Sequence, residues 1–126
     1  MSETASTHNQ KSKAYHLFRQ QVYGIVRTIP TGKVMSYGGI AALIPCPKGY
    51  DPLAYTRIRA RWVGYALKAC PEDVPWWRVV NAKGSVSLRM GHGPRIQPIM
   101  LEEEGLHMDN GKIVNLSHHL WNPKPE

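Results

Sequence analysis

The chain has 126 residues, of which 42% are hydrophobic and 20% are charged, so the length suits one compact domain and the composition excludes an intrinsically disordered chain. No run of 18 apolar residues predicts a membrane span, and the polar N-terminus lacks the apolar segment of a secretory signal. We therefore expect a flexible lead-in over residues 1–13, a single domain over residues 14–126, and a cytoplasmic protein.

The charge is strongly basic and unevenly distributed. Sixteen Lys and Arg residues against nine Asp and Glu residues give a formal net charge of +7. Residues 4–101 carry fourteen of the basic side chains and three of the acidic ones, whereas residues 102–104 are three consecutive glutamates. A basic body is typical of a nucleic-acid-binding protein. Charge alone leaves open a soluble basic protein without such a partner.

Metal, redox and hydrolytic sites are poorly supported. Cys46 and Cys70 form no C-x-x-C pair, and we expect two reduced thiols. His118 and His119 are adjacent and point in different directions, so they do not predict a shared metal ion. The glutamates at 102–104 end a predicted helix, where consecutive acids are usually solvated. We expect no cofactor, no metal and no catalytic carboxylate pair.

Residues 14–29 predict an amphipathic helix, which Pro30 then interrupts. Its apolar stripe has the spacing i, i+4, i+7 and i+11 and consists of Phe18, Val22, Ile25 and Ile29. Ser36 is a suitable N-cap for a second helix over residues 37–44.

A proline-rich loop over residues 45–55 precedes a third helix over residues 57–69, for which Thr56 is the expected N-cap. One face of this helix is small or apolar and consists of Ala60, Val63, Gly64 and Leu67. Another side carries a basic stripe made of Arg57, Arg61 and Lys68. Two helices, the second with a basic stripe, predict a helix-turn-helix, although the loop exceeds the usual three or four residues.

The second half of the chain predicts a β-hairpin followed by one more helix. Residues 77–80 and 85–87 read as strands around a turn at residues 81–84, which would form a wing. Residues 91–94 read as a loop, residues 95–104 as a helix ended by Gly105, and the tail as partly extended with Trp121 as its anchor. The predicted fold is mainly α, a winged helix-turn-helix with a small β-hairpin wing.

Four segments occur in an order that resembles the DNA-binding domain of the O6-alkylguanine-DNA alkyltransferases, over about residues 15–106. They are IPxGKVxSYGxIA at residues 29–41, RxVGxAL at residues 61–67, VPWWRVV at residues 74–80, and Glu104-Gly105. In those enzymes the third segment contains Pro-Cys-His-Arg-Val. The resemblance implies a DNA-binding protein with a winged helix-turn-helix.

This sequence differs from that family at the position of the nucleophilic cysteine. Trp76 occupies the position of the acceptor cysteine and Trp77 that of its histidine. An indole has no nucleophile comparable to a thiolate, and its N–H is only a donor. Glu104 keeps the glutamate position, with nothing left for it to orient. Tryptophan at the cysteine position is the mark of the alkyltransferase-like proteins, which the pattern Asn81-x-x-Gly84-x-x-Ser87-x-Arg89 also resembles.

The resemblance implies roles for individual residues. Arg61 is the finger that fills the space left by a flipped base, and small neighbours allow close approach to DNA. Tyr37 crowds a phosphate and drives rotation of the nucleotide. The expected DNA-binding and base-flipping residues are Ser36, Tyr37, Arg57, Ala60, Arg61, Gly64 and Lys68.

The expected alkylguanine pocket consists of Trp76, Val79 and Arg89, with Arg89 stacking on the flipped base and Arg78 and Glu104 as structural support. Two further departures concern the neighbourhood of this site. Cys70 stands where the enzymes have an asparagine, and Trp62 is bulkier than its counterparts, so we expect it to alter the fit to the groove.

By resemblance, the protein binds O6-alkylguanine in duplex DNA through the minor groove, flips it without repairing it, and hands it to nucleotide excision repair proteins. We expect a nucleoid-associated monomer with no membrane partner. The alternative is a sequence-specific winged-helix regulator that reads base edges in the major groove. A degenerate enzyme with hydrolytic dealkylation would lack any visible base.

Overall fold

Helices dominate the computed structural model, which describes residues 3–86 and 93–123. Within those residues the helices are α1 (Glu3–Arg27), α2 (Tyr37–Ala42), α3 (Pro52–Lys68), α4 (Gly93–Glu103) and α5 (Leu116–His119). A short 3-10 helix, Trp76–Arg78, lies between α3 and α4. No helix in the described ranges combines the length and the apolar character that crossing a membrane requires.

In the part of the chain that the structure describes, four two-residue strands form two separate sheets. β1 (Met35–Ser36) pairs in parallel with β2 (Val79–Val80), and β3 (Met108–Asp109) pairs antiparallel with β4 (Lys112–Ile113). The small hairpin of the fold is therefore β3–β4, and the prediction of a hairpin over residues 77–87 is wrong in its position.

A tight turn does form at residues 81–84, where the Gly84 N–H donates to the Asn81 carbonyl at 2.9 Å, and the Asn81 N–H donates to the Ser85 carbonyl across the turn at 3.0 Å. Ser85 then bridges to Lys112 rather than to the strand before the turn. The residues before the turn, Val79 and Val80, form β2 and pair with β1, and the Val79 carbonyl also accepts a hydrogen bond from the Gln97 side chain.

The first helix begins at Glu3, inside the segment predicted as a flexible lead-in, and it ends at Arg27. Its inward face carries Phe18 and Val22, both fully buried. These side chains share one core cluster with residues from α2, α3 and β2. Of the apolar stripe predicted from the sequence, Phe18, Val22 and Ile29 are buried, whereas Ile25 is only partly buried. Val26 is the fully buried residue at that turn.

The helix-turn-helix consists of α2 and α3, joined by residues 43–51. Ser36 caps α2 as predicted, since its Oγ accepts a hydrogen bond from the Gly39 N–H at 2.9 Å. The start of α3 differs from the prediction: Asp51, not Thr56, is the N-cap and accepts from the Ala54 N–H at 3.0 Å. Pro52 follows the cap, a position where its fixed φ suits a helix.

An aromatic cluster joins α1, α3 and the loop between α2 and α3. Trp62 lies at its centre, with its ring edge-on to four neighbouring rings at centroid distances of 5.3–6.2 Å. The neighbours are Tyr15, Phe18, Tyr50 and Tyr55. Trp62 is buried and points into the core, so the expectation that it alters the fit to a DNA groove is wrong.

The end of the chain folds back on the body. Gly105, with φ of +97°, ends the helical run after α4, as predicted. Val34 forms two backbone hydrogen bonds with the C-terminal segment: its N–H donates to the His119 carbonyl, and its carbonyl accepts from the Trp121 N–H, each at 2.8 Å. Trp121 packs against the main core cluster, which agrees with its predicted role as an anchor.

Candidate DNA-lesion site

The pairing of β1 with β2 brings two of the sequence segments together. Ser36 lies opposite Val80 in the parallel register, so the segment that leads into α2 is held beside Val79 and Val80, the residues that follow Trp76–Arg78 in the chain. The paired residues Ser36 and Val80 are 44 positions apart in the chain. This short ladder is therefore what assembles the site.

A partly buried carboxylate is the centre of the site. Glu104 Oε2 accepts hydrogen bonds from Trp77 Nε1 at 2.7 Å and from Arg78 Nη2 at 2.7 Å, and Oε1 accepts from the Gly32 N–H at 3.1 Å. Arg78 also donates from Nη1 to the Ile29 carbonyl at 2.7 Å. The side chains of Arg78 and Glu104 are 15% and 11% exposed, so this ion pair is largely shielded from water.

The ionisation of Glu104 follows from these contacts. Burial raises the pKa of the Glu104 carboxyl, but the hydrogen bonds from Arg78, Trp77 and Gly32 outweigh it and hold the pKa below its ordinary value. The carboxylate therefore stays charged. The expectation that Glu104 has nothing left to orient is wrong, because the indole N–H of Trp77 donates a hydrogen bond to the Glu104 carboxylate.

Arg78 supports this arrangement through a second contact. Its guanidinium lies over the Trp77 ring, 5.4 Å from the centroid, while its other donors bind the backbone and Glu104. Trp77 in turn meets the Trp76 ring edge-on, with centroids 6.0 Å apart. The orientation of Trp76 is thus coupled to the ion pair through one intermediate ring.

Trp76 is half-buried and faces a small open cavity of about 270 Å³ at the end of α3. The cavity is lined by Lys68, Cys70, Pro71, Glu72 and Trp76. The predicted pocket residue Val79 is not among them. Val79 is fully buried in the core, and its carbonyl faces the interior, so only Trp76 of the described pocket residues reaches the cavity surface.

Cys70 is the one sulfur atom on the cavity wall. Burial raises the pKa of the Cys70 thiol, the charge of Asp73 acts in the same direction, and together these effects exceed the lowering by a backbone hydrogen bond and Arg27. A raised pKa keeps the thiol protonated at neutral pH, and only the thiolate is an effective nucleophile. Cys70 is therefore not an activated replacement for the missing acceptor.

The outward face of α3 holds five of the seven predicted DNA-binding residues in one row, while Ser36 and Tyr37 lie at the start of α2. Arg57, Ala60, Arg61 and Lys68 are exposed, and no atom lies within 4 Å of a Cβ built on Gly64. Within the described part of the chain, neither Arg57 nor Arg61 takes part in a salt bridge. Lys68, at the far end of the row, also lies at the cavity.

Gln97 is a supporting residue that the sequence analysis missed. It is fully buried on α4, and its amide donates to the carbonyls of Trp77 and Val79 at 3.0 and 2.8 Å. These bonds fix the backbone on which Trp76 is mounted. A signal was present, since Gln97 stands four residues before the buried Leu101 and hence on the same helical face.

Arg89, the predicted reader of the flipped base, lies outside the described residues. Among those that are described, no group of three or more His, Cys, Asp or Glu side chains is placed to hold a metal ion.

Comparisons with known proteins identify the family. The family described as the DNA-binding domain of 6-O-methylguanine DNA methyltransferase matches residues 17–106. The chain is similar to alkyltransferase-like protein 1 of Schizosaccharomyces pombe, with 37% identity over 113 residues, covering 84% of this chain and 95% of that one. It is also similar to a DNA base-flipping protein of Vibrio parahaemolyticus, with 36% identity over 108 residues and coverage of 84% and 97%.

Among solved structures, S. pombe Atl1 in complex with damaged DNA containing O6-carboxymethylguanine superposes with a TM-score of 0.67 at 35% identity, covering 86% of this chain and 97% of that one. These relatives share the helix-turn-helix architecture found here. The family match spans most of the chain, and the relatives are matched over nearly their whole length. The chain therefore belongs to the family of the 6-O-methylguanine DNA methyltransferase DNA-binding domain and, within it, to the alkyltransferase-like proteins.

Proposed function

We propose that this protein binds duplex DNA containing an O6-alkylated guanine through the minor groove, rotates the damaged nucleotide into the cavity beside Trp76, and performs no chemistry on it. The observation that carries the proposal is the occupation of the reactive centre by two indoles, with the Trp77 N–H bound to Glu104. The complex of S. pombe Atl1 with damaged DNA supports lesion recognition by this architecture.

The binding half follows from α3 and its connection to the cavity. Arg61 is exposed on a helix that carries four basic side chains and no acidic one. Its planar, permanently charged tip can fill the space of an extruded base and bind the orphaned partner. Lys68 lies on the same helix and lines the cavity. The helix that carries Arg61 therefore ends at the cavity into which the flipped base would rotate.

The cavity suits a flipped base better than a large ligand. Its volume of about 270 Å³ lies just below the roughly 300–1,000 Å³ range of pockets for drug-sized molecules, and a nucleobase is smaller than those. The indole of Trp76 offers an apolar surface for dispersion contact with an O6-alkyl group. Arg89 is assigned to stacking on the base by sequence resemblance alone.

The side chains at the site supply no nucleophile for alkyl transfer. Alkyl transfer requires a nucleophile with an available electron pair and a group that accepts its proton. Trp76 and Trp77 supply neither, and the pKa of the nearby Cys70 thiol is raised. The protein would therefore bind the lesion without repairing it. As the family resemblance implies, it would act as a monomer and pass the bound lesion to nucleotide excision repair proteins.

The decisive measurement is a titration of one duplex with and without a single O6-methylguanine at fixed salt. The proposal expects tighter binding to the damaged duplex. Equal affinity for both duplexes would contradict it and would favour a sequence-specific regulator, which ignores the lesion.

A second measurement tests the chemistry under single-turnover conditions, using radiolabelled methyl groups on O6-methylguanine DNA. Wild type and Trp76→Cys are expected to transfer little label, since a free thiol with a pKa near 8.5 is mostly protonated at neutral pH. Trp76→Cys with Trp77→His should transfer more, because Glu104 is already placed to orient a ring at position 77. Rapid stoichiometric labelling of the single variant would overturn the argument.

A further inference from the structure

The recognition helix is longer at its N-terminal end than the sequence predicted. It begins at Pro52 rather than at residue 57, and Asp51 caps it. The added turn precedes the whole basic stripe. Pro52, the first residue of α3, lies 9 residues before Arg61. At a rise of about 1.5 Å per residue, the helix therefore extends on the order of 13 Å from Arg61 towards its N-terminus.

The added turn is held rigidly to the body. Tyr55 is 2% exposed, its hydroxyl donates to the Ile44 carbonyl, and its ring packs edge-on against Phe18 and Trp62. Arg59 lies over the outer side of the Tyr55 ring at 5.9 Å. The extension is thus a fixed continuation of α3 and not a frayed end.

Leu53 is exposed on this extension, in line with the basic stripe. At about 3.6 residues per turn, residues 53, 57, 60, 61, 64 and 68 fall within an arc of about 100° on one side of α3. Leu53 is 61% exposed, so its side chain is available to a partner on the same side of α3 as Arg57 and Arg61. The opposite arc carries the buried side chains Tyr55, Trp62, Val63, Ala66 and Leu67.

We propose that the first turns of α3 form a second DNA contact, in which Leu53 packs against the deoxyribose wall of the minor groove on one side of the flipped nucleotide. This inference rests on the proposed function and extends its footprint. Leu53 and Arg61 are eight positions apart, which corresponds to about 12 Å of helix, or roughly three to four steps of 3.4 Å along a DNA strand.

The chemistry of this face suits a nucleic acid. Arg57 lies one turn from Leu53 and is exposed, as a contact to the phosphates that border the groove must be. No acidic residue lies on α3 itself. Leucine is among the apolar side chains that minor-groove-binding proteins place against or between base steps. The pairing of an apolar and a basic side chain one turn apart therefore matches a groove with sugar walls and phosphate rims.

The test compares Leu53→Gln with Leu17→Gln in the full-length chain. Leu17 is a matched control because it is 62% exposed and lies on α1, outside the stripe. Binding is measured to a duplex with a central O6-methylguanine and to two shortened duplexes, each ending two base pairs from the lesion on one side. Circular dichroism checks that both variants keep their helices.

We expect Leu53→Gln to bind the long duplex about three- to tenfold more weakly than wild type, the effect of partly burying one leucine side chain, and Leu17→Gln to match wild type. One of the two shortened duplexes should remove the difference between Leu53→Gln and wild type. The inference is overturned if Leu53→Gln binds the long duplex as tightly as wild type, if Leu17→Gln is equally weakened, or if the defect persists on both shortened duplexes. Failure of the proposed function is distinct, since wild type would then bind damaged and undamaged duplexes equally.

Discussion

The outer face of α3 and the cluster around Glu104 differ in whether their charged side chains are exposed and paired. Arg57 and Arg61 stand in water without a salt-bridge partner in the described part of the chain, whereas Arg78 and Glu104 are shielded and hydrogen-bonded to each other and to their surroundings. Exposed unpaired cations are available to phosphates, and buried paired ones are not. In the proposed function, DNA binding and the support of the fold therefore use separate arginines.

The largest effect is expected where the shielded pair is broken. Arg78→Ala should lower the free energy of unfolding by about 3–5 kcal/mol, because it leaves the Glu104 carboxylate buried without its cation. Urea unfolding followed by tryptophan fluorescence measures this loss. Arg57→Ala is the control and should change the free energy of unfolding by no more than about 0.5 kcal/mol. Similar values for the two variants would remove the distinction between the regions.

Arg61→Ala should produce the reverse pattern. We expect binding to O6-methylguanine duplex to weaken by about 1–3 kcal/mol, the scale of a lost stacking contact, with the free energy of unfolding nearly unchanged. Arg59→Ala serves as a matched control, since it removes the same charge from the same helix but its guanidinium lies over the Tyr55 ring. Equal loss of affinity in both variants would show that α3 acts only through its net charge.

The smallest expected effect concerns acid stability. The pKa of Glu104 is lower in the folded protein than its ordinary value of 4.5, so its stabilising contribution is complete above that value and is lost as the pH falls through the folded pKa. The urea concentration at the unfolding midpoint of wild type should therefore decrease as the pH is lowered below about 4.5. The midpoint of Glu104→Gln should decrease less steeply over the same pH range. Glu103→Gln, at an exposed position, is the control, and an unchanged pH profile in Glu104→Gln would contradict this account.

Local chemistry explains which predictions were confirmed. The Ser36 cap, the apolar stripe of α1 and the end of the helical run at Gly105 each depend on residues within one or two turns, which a sequence displays directly. The start of α3 was misplaced although both Asp51 and Thr56 can cap. The proline after Asp51 favoured the earlier start, and burial of Tyr55 against α1 and Trp62 adds the packing that holds the extra turn.

The errors and omissions in the second half have a common cause. Val79 and Val80 pair with Met35 and Ser36, and not with the residues that follow the turn. A two-residue strand has little intrinsic preference, so its partner is chosen by the packing of the whole domain. The same holds for Gln97, whose role depends on carbonyls about twenty residues earlier.

By itself, the sequence determined the lack of a thiol at position 76, the basic character of α3 and the capped start of α2, because these are properties of residue types and near neighbours. Only the tertiary structure decided that Trp62 points inward, that Leu53 joins the row of Arg57 and Arg61, and that the Trp77 indole binds Glu104. Those features depend on contacts between residues distant in the chain, whose geometry is fixed only when the helices pack around one core.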